Sequence, residues 1–167
     1  MNLLSTLASG PSIFRGEGVN EEREAFVGEL KVQSLEAGRA VLLTYKASLS
    51  CGKIVHTEST LLATASNGKL CLWPVMSELP VVLPHAEVTT ETNSSGNTKS
   101  VFSSGPRNDT ASFREEITIQ FNPDRSLLYA HAWGLPGGVF EDRSSPGTMR
   151  HDDRSSKTPP GRPQACA

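Results

Sequence analysis

The sequence lacks a concentration of charge of either sign, and it lacks any long apolar run. Its 167 residues carry 16 Lys and Arg against 18 Asp and Glu, which gives a net charge of −2. Nucleic-acid binding needs a basic surface that neutralises phosphates, so this balance argues against such a partner. A membrane-spanning helix needs roughly 20 consecutive apolar residues, and no run approaches that length. We therefore expect neither nucleic acid nor membrane as a partner.

Cysteines are few, and so are the signals that would direct the chain out of the cell. Cys51, Cys71 and Cys166 form no Cys-x-x-Cys pair, which excludes a four-cysteine zinc motif and predicts reduced thiols. The first ten residues lack the basic start and the long apolar segment of a secretory signal. These absences predict a cytoplasmic location.

Motifs that specify a reaction are missing as well. The sequence has no Gly-x-Ser-x-Gly, no glycine-rich phosphate loop and no His-Glu-x-x-His. Hydrolase, nucleotide-binding and metalloprotease functions therefore have no support. Whether the chain is an enzyme stays open.

What the sequence does contain is a repeated alternation of apolar and polar residues, which is the period of a β-strand. Between two such segments, Asn67-Gly68 predicts a two-residue type I′ turn. Leu3, Leu4 and Leu7 predict a short N-terminal helix that covers one end of a barrel. Because closure removes exposed edges, the pattern predicts an all-β fold, an antiparallel up-and-down β-barrel of about nine or ten strands. The predicted strands cover residues 13–19, 24–33, 39–49, 53–65, 69–76, 81–89, 100–103, 112–121 and 126–133.

The composition changes near residue 141. Residues 141–167 are rich in Ser, Pro, Gly and charged side chains, with few apolar residues among them. Such a segment cannot bury enough apolar surface to offset the entropy of ordering it. We predict a barrel domain over residues 1–140 and a disordered C-terminal tail over 141–167.

Three short segments resemble the nitrobindin-like branch of the calycin superfamily. They are Ile-Phe-Arg-Gly-Glu-Gly at 13–18, Gly-Lys-Ile-Val-His-Thr-Glu at 52–58 and Phe-Arg-Glu-Glu-Ile-Thr-Ile at 113–119. The resemblance implies a barrel similar to those of lipocalins and fatty-acid-binding proteins over roughly residues 3–140. Some members of that branch bind haem through one histidine and isomerise peroxynitrite to nitrate. By this resemblance haem is a possible cofactor here, with His131 as the candidate ligand.

Histidines at two places are candidate binding residues. In the last predicted strand, His131 shares a face with Tyr129 and Trp133, so it is placed to ligate a metal or haem or to bond a ligand carboxylate. A histidine satisfied by a neighbouring backbone group is the alternative. His56 and Glu58 lie two residues apart and point the same way on a strand, which suits proton transfer or ligand anchoring as well as a structural contact.

One acidic residue falls on an apolar face. Glu115 alternates with Phe113 and Ile117, and a buried acid needs a partner, which Arg15 or Arg39 could supply inside the barrel. A one-residue bulge that turns Glu115 outward is the alternative.

These patterns favour a binding function. We expect the barrel to hold a small hydrophobic ligand, lipid-like or haem-like and with a carboxylate as one option. The alternatives are a haem-dependent peroxynitrite isomerase of the nitrobindin type and a ligand-free interaction module, and a homodimer is possible. The candidate ligand-binding residues are Arg15, Arg39, Tyr45, His56, Glu58, Glu115, Tyr129, His131 and Trp133, with His131 also the candidate metal ligand.

Overall fold

A computed structural model describes residues 2–20, 22–142 and 145–152, and these residues form one short helix and twelve strands. No helix in this part of the chain is long and apolar enough to cross a membrane. The elements are α1 (Leu3–Ser9), β1 (Ile13–Val19), β2 (Ala25–Leu35), β3 (Ala40–Leu49), β4 (Ile54–Thr64), β5 (Leu70–Met76), β6 (His85–Thr92), β7 (Thr98–Ser103), β8 (Arg114–Phe121), β9 (Leu127–Gly134), β10 (Glu141–Asp142), β11 (Ser145–Pro146) and β12 (Arg150–His151).

The strands form one antiparallel sheet in which β1 to β9 are neighbours in the order of the chain. This sheet curls into a half-barrel, which confirms the prediction of an all-β up-and-down fold with a short N-terminal helix. The arrangement is compatible with a calycin-like fold. Each strand from β1 to β9 pairs with the next one along the chain. Successive connections therefore lie at opposite ends of the barrel.

The core consists of the side chains that alternation places on the inner face. Phe26 and Leu30 of β2 and Val41 and Leu43 of β3 are buried, as predicted. At one end, α1 packs against β2, β3 and the tight turn Glu36–Gly38 that joins them. Its buried leucines Leu3, Leu4 and Leu7 close that end of the barrel.

The hairpin at Asn67-Gly68 is present, but its turn type differs from the prediction. Only Gly68 has a positive φ, at 81°, whereas a type I′ turn needs positive φ at both residues. The loop closes through a 2.8 Å hydrogen bond from the Ala65 N–H to the Lys69 carbonyl. It is therefore a three-residue loop that ends in a left-handed residue. The loops at Gly52, Gly96 and Arg125 close in the same way.

Residues 147–152, which we call the closing segment, lie between the first and the ninth strand. Met149 exchanges two backbone hydrogen bonds with Leu127 of β9, and β12 pairs with Phe14 and Arg15 of β1. The segment packs tightly against β1 at Gly16. A Cβ atom at this position would lie only 3.0 Å from the Met149 Cα, so a larger residue would not fit without a shift. This glycine of the Gly-x-Gly sequence thus makes room for the last strand pairing.

The closing segment belongs to the region that the sequence predicts as a tail. Residues 141, 142 and 145–152 contain the short strands β10, β11 and β12 rather than an entirely unstructured chain. Residues 153–167 of the predicted tail lie outside the described residues. The amino-acid composition did not predict this pairing, because the pairing depends on backbone hydrogen bonds and on one buried apolar side chain, that of Met149.

Two of the three cysteines lie in the described part of the chain. Cys71 is a free, buried thiol, as expected for a reduced cysteine. Cys166 lies outside the described residues.

We expect Met149→Ala to lower the free energy of unfolding by about 2–4 kcal/mol, because it removes a side chain that is 3% exposed from the junction of β1 and β9. Urea unfolding followed by circular dichroism measures the change. Val81→Ala, at a site 54% exposed, is the control and should shift stability by less than about 0.5 kcal/mol. Equal effects of the two substitutions would contradict the structural role of the closing segment.

Candidate functional site

A cavity of about 410 Å³ lies at the end of the barrel opposite α1. It forms where β3, β5 and β9 end and where β2, β4 and β8 begin. Aromatic and aliphatic side chains make up much of its wall, and acidic and histidine side chains occupy one part of it. The lining residues are Asn20, Glu22, Phe26, Tyr45, Ala47, Val55, His56, Met76, Glu78, Leu79, Phe113, Glu115, Tyr129, His131, Trp133 and Leu135.

Glu58 lies at the base of the polar part of this wall. Alternation along β4 turns its side chain inward, and only 1% of that side chain is exposed. Its Oε1 accepts a 2.6 Å hydrogen bond from the Tyr129 hydroxyl and a second one from the Thr60 hydroxyl. The other oxygen, Oε2, has no hydrogen-bond partner.

Two histidines face that oxygen. The Nε2 atom of His56 lies 3.5 Å from Glu58 Oε2, and the Nε2 atom of His131 lies 3.4 Å from it. Both Nε2 atoms are buried and have no hydrogen-bond partner. We call His56, Glu58 and His131 the histidine–glutamate cluster.

Each histidine of the cluster is oriented by a further carboxylate. His56 Nδ1 lies 2.9 Å from Glu78 Oε2, and His131 Nδ1 lies 2.9 Å from Glu115 Oε1. A carboxylate on Nδ1 fixes the ring orientation and favours the proton on that nitrogen, which leaves a lone pair on Nε2. Both lone pairs are then directed toward Glu58.

Glu115 is buried between two histidines. Its second oxygen lies 3.2 Å from Nε2 of His85, whose Nδ1 is 2.7 Å from the Leu83 carbonyl. Burial alone would raise the pKa of Glu115, but the hydrogen bonds from His131 and His85 outweigh burial and lower this pKa to about 2. Glu115 is therefore a carboxylate at neutral pH.

The same balance applies to Glu58 and His131. Burial opposes the charge of Glu58, yet the nearby imidazole of His56, the charge of His131 and the hydrogen bonds from Thr60 and Tyr129 hold its pKa below the ordinary value. Burial likewise opposes the charge of His131, but Glu115 and Glu58 raise the pKa of this imidazole. For Tyr129, burial and the neighbouring charge of Glu58 raise the pKa well above 10, so its hydroxyl stays a donor.

The structure brings most of the predicted site residues together. Six of them line the cavity, and Glu58 lies at its base as a member of the cluster. The six are Tyr45, His56, Glu115, Tyr129, His131 and Trp133. Glu115 points inward as its face of β8 predicts, so the bulge that would turn it outward is not found.

The two predicted arginines lie elsewhere. Arg15 is exposed on β1 and pairs with Glu29 and Asp152, and Arg39 is exposed beside the turn after β2. Neither lines the cavity, so the expectation of an internal arginine opposite Glu115 is wrong. The partners of Glu115 are histidines because β6 and β9, and not β1, carry the side chains that face it.

Sequence reasoning missed His85 and Glu78. His85 begins β6 and is fully buried, and Glu78 follows β5. His85 lies inside the predicted strand 81–89, directly after Pro84, and the sequence gave only a weak signal for its inward position. Nothing in the sequence marked Glu78, because its contact with His56 spans 22 residues.

The cluster does not fit a haem. An iron bound to Nε2 of His131 requires a flat macrocycle around the metal, perpendicular to the bond. Glu58 Oε2 lies 3.4 Å from this nitrogen, and the His56 ring centre lies 5.7 Å from the His131 ring centre. Both groups fall within the space that the macrocycle would need.

We expect Glu115→Gln to destabilise the protein by up to about 3 kcal/mol at pH 7, because a neutral amide accepts weaker hydrogen bonds from His85 and His131 than a carboxylate does. The native pKa of Glu115 is depressed, so its contribution is present above the unfolded value near 4.5 and is lost as the pH falls toward 2. Denaturant unfolding of both proteins between pH 7 and pH 2 should therefore show a difference that shrinks below about pH 5. The exposed Glu91→Gln is the control. A difference independent of pH would contradict the charged state of Glu115.

Comparison with family models and with curated proteins gives no relative from which a function could be transferred. No family model matches the chain, and no curated protein matches it. The half-barrel with its short N-terminal helix remains compatible with a calycin-like fold. The function must therefore be argued from the cavity and the residues that line it.

Proposed function

We propose that this protein binds a small, mainly apolar molecule in the cavity at the open end of the barrel. The proposal rests on the wall of this cavity, which has a large apolar part and a small polar part. Phe26, Val55, Phe113 and Trp133 offer apolar surface, and the histidine–glutamate cluster offers polar atoms at one place. An apolar pocket with a few convergent polar groups is the usual form of a small-molecule site.

The charges of the wall favour a particular polar end on that molecule. Glu22, Glu78 and Glu115 line the cavity and Glu58 lies at its base, while no Lys or Arg is among the described lining residues. A ligand carboxylate beside the cluster would meet the like charges of the buried Glu58 and Glu115 at short range, which is unfavourable. We therefore propose a ligand whose polar end donates hydrogen bonds or carries a positive charge, in place of the carboxylate expected from the sequence.

The other functions considered from the sequence have less support. A nitrobindin-type haem enzyme requires His131 to hold a macrocycle that Glu58 and His56 obstruct. A ligand-free interaction module would be favoured by a filled barrel and a contiguous apolar surface patch. The barrel instead has a cavity of about 410 Å³.

Three probes with the same ten-carbon chain test the proposal, namely decan-1-ol, decylamine and decanoate. Fluorescence of Trp133, measured in a Trp73→Phe background, reports occupancy because Trp133 lines the cavity and Trp73 does not. The protein is treated with a chelator beforehand so that no metal ion contributes. We expect decan-1-ol and decylamine to bind at least about tenfold more tightly than decanoate, which corresponds to about 1.4 kcal/mol.

A cavity-filling variant supplies the control. Ala47→Phe places an aromatic ring in the cavity, whereas Ala86→Phe places the same ring on the exposed face of β6. Only Ala47→Phe should abolish binding. Tightest binding of decanoate would overturn the proposed polarity of the ligand, and binding that survives in Ala47→Phe would overturn the proposed site.

A further inference from the structure

We propose that the histidine–glutamate cluster is a binding site for a divalent first-row transition-metal ion such as Zn²⁺. The ligand atoms are Nε2 of His56, Nε2 of His131 and Oε2 of Glu58. This inference does not rest on the proposed organic ligand, because it concerns the ion alone.

The first argument is the geometry of the three atoms. They all lie within 4.8 Å of one another, and the two distances to Glu58 Oε2 are 3.5 and 3.4 Å. Such distances are too long for strong hydrogen bonds. A tetrahedral Zn²⁺ ion with bonds of roughly 2.0–2.1 Å separates its ligand atoms by about 3.3–3.4 Å. The measured spacing therefore suits an ion between the atoms better than direct bonds among them.

The second argument is that all three ligand atoms are buried and lack a hydrogen-bond partner. Among the described residues, the buried side-chain nitrogen and oxygen atoms without a hydrogen-bond partner are His56 Nε2, Glu58 Oε2 and His131 Nε2. Leaving a buried polar atom without a partner costs about 1–3 kcal/mol. Three such atoms directed at one point indicate a shared partner, and a cation satisfies all three at once.

The third argument is the support that surrounds the ligand atoms. Metal-bound histidines usually donate their other N–H to a carboxylate, and here Glu78 and Glu115 accept from His56 and His131. The hydroxyls of Tyr129 and Thr60 hold the remaining oxygen of Glu58. Every ligand is therefore held in place by a second group.

The chemistry of the donors limits the choice of ion. Two imidazole nitrogens and one carboxylate oxygen suit Zn²⁺, Fe²⁺ and Co²⁺, whereas Ca²⁺ and Mg²⁺ prefer sites made only of oxygen. Three protein ligands also leave a coordination position open. Because His56 and His131 line the cavity, that position is accessible to water or to a small molecule.

Titration of the chelator-treated full-length protein with Co²⁺ tests the site. A four- or five-coordinate Co²⁺ ion absorbs visible light far more strongly than the hydrated ion, so bound and free metal are distinguished directly. We expect one equivalent of Co²⁺ to bind, Zn²⁺ to displace it, and a large excess of Mg²⁺ or Ca²⁺ to leave the spectrum unchanged. Zn²⁺ should also raise the Tm in circular dichroism, by roughly 4 °C or more at 100 times Kd.

Substitutions locate the ligands. Glu58→Gln keeps an oxygen that accepts from Tyr129, and His56→Gln changes a side chain that is 23% exposed, so at least one of the two is expected to fold. Each should weaken Co²⁺ binding about 100-fold or more, and Glu78→Gln about tenfold. His151→Ala removes a histidine from β12, far from the cluster in the sheet, and should leave affinity unchanged.

Two results would overturn the proposal. One is a wild-type protein that takes up no stoichiometric Co²⁺ or Zn²⁺, which would identify the cluster as a protonated histidine paired with a carboxylate. The other is uptake that the folded Glu58→Gln and His56→Gln variants retain, which would place the ion elsewhere. Neither result affects binding of the ten-carbon probes, which is measured without metal, so the two proposals fail independently.

Discussion

The open end of this barrel depends on how two buried carboxylates are compensated. Glu58 and Glu115 lie inside a sheet whose other inward side chains are mostly apolar, and an isolated charge there would be strongly unfavourable. Three histidines and two hydroxyl groups supply the compensation. For Glu115 it is complete, since both oxygens have a histidine partner. For Glu58 it is incomplete, and on this asymmetry rests our proposal that Glu58 binds a ligand while Glu115 supports it.

Much of this architecture follows from local sequence patterns. The predicted bounds of β1 agree with the structure, and those of β2 to β5, β8 and β9 differ by at most two residues at either end. The inward position of Glu115 follows from the same alternation, because side chains on a strand change face at every residue. Such patterns are read within one strand and need no knowledge of the neighbouring strands.

The partners of the site residues could not be predicted in that way. His85 meets Glu115 across 30 residues, and Tyr129 meets Glu58 across 71. These contacts depend on the curvature of the sheet and on which strands lie opposite each other, neither of which hydrophobic periodicity encodes. The arginine expected opposite Glu115 was a choice based on charge alone. Histidines serve instead, because imidazole N–H groups donate hydrogen bonds to both oxygens of Glu115.

The closing segment has a consequence beyond the stability of the monomer. An uncovered β1 or β9 would present a row of free N–H and C=O groups on which a strand of another molecule could form. Met149 and the short strands β10, β11 and β12 occupy parts of these edges with backbone from the same chain. Because this cover consists of a few residues, loss of Met149 and β12 would uncover the parts of β9 and β1 with which they pair. The segment therefore occupies edges that could otherwise pair with another molecule, in addition to joining β1 to β9.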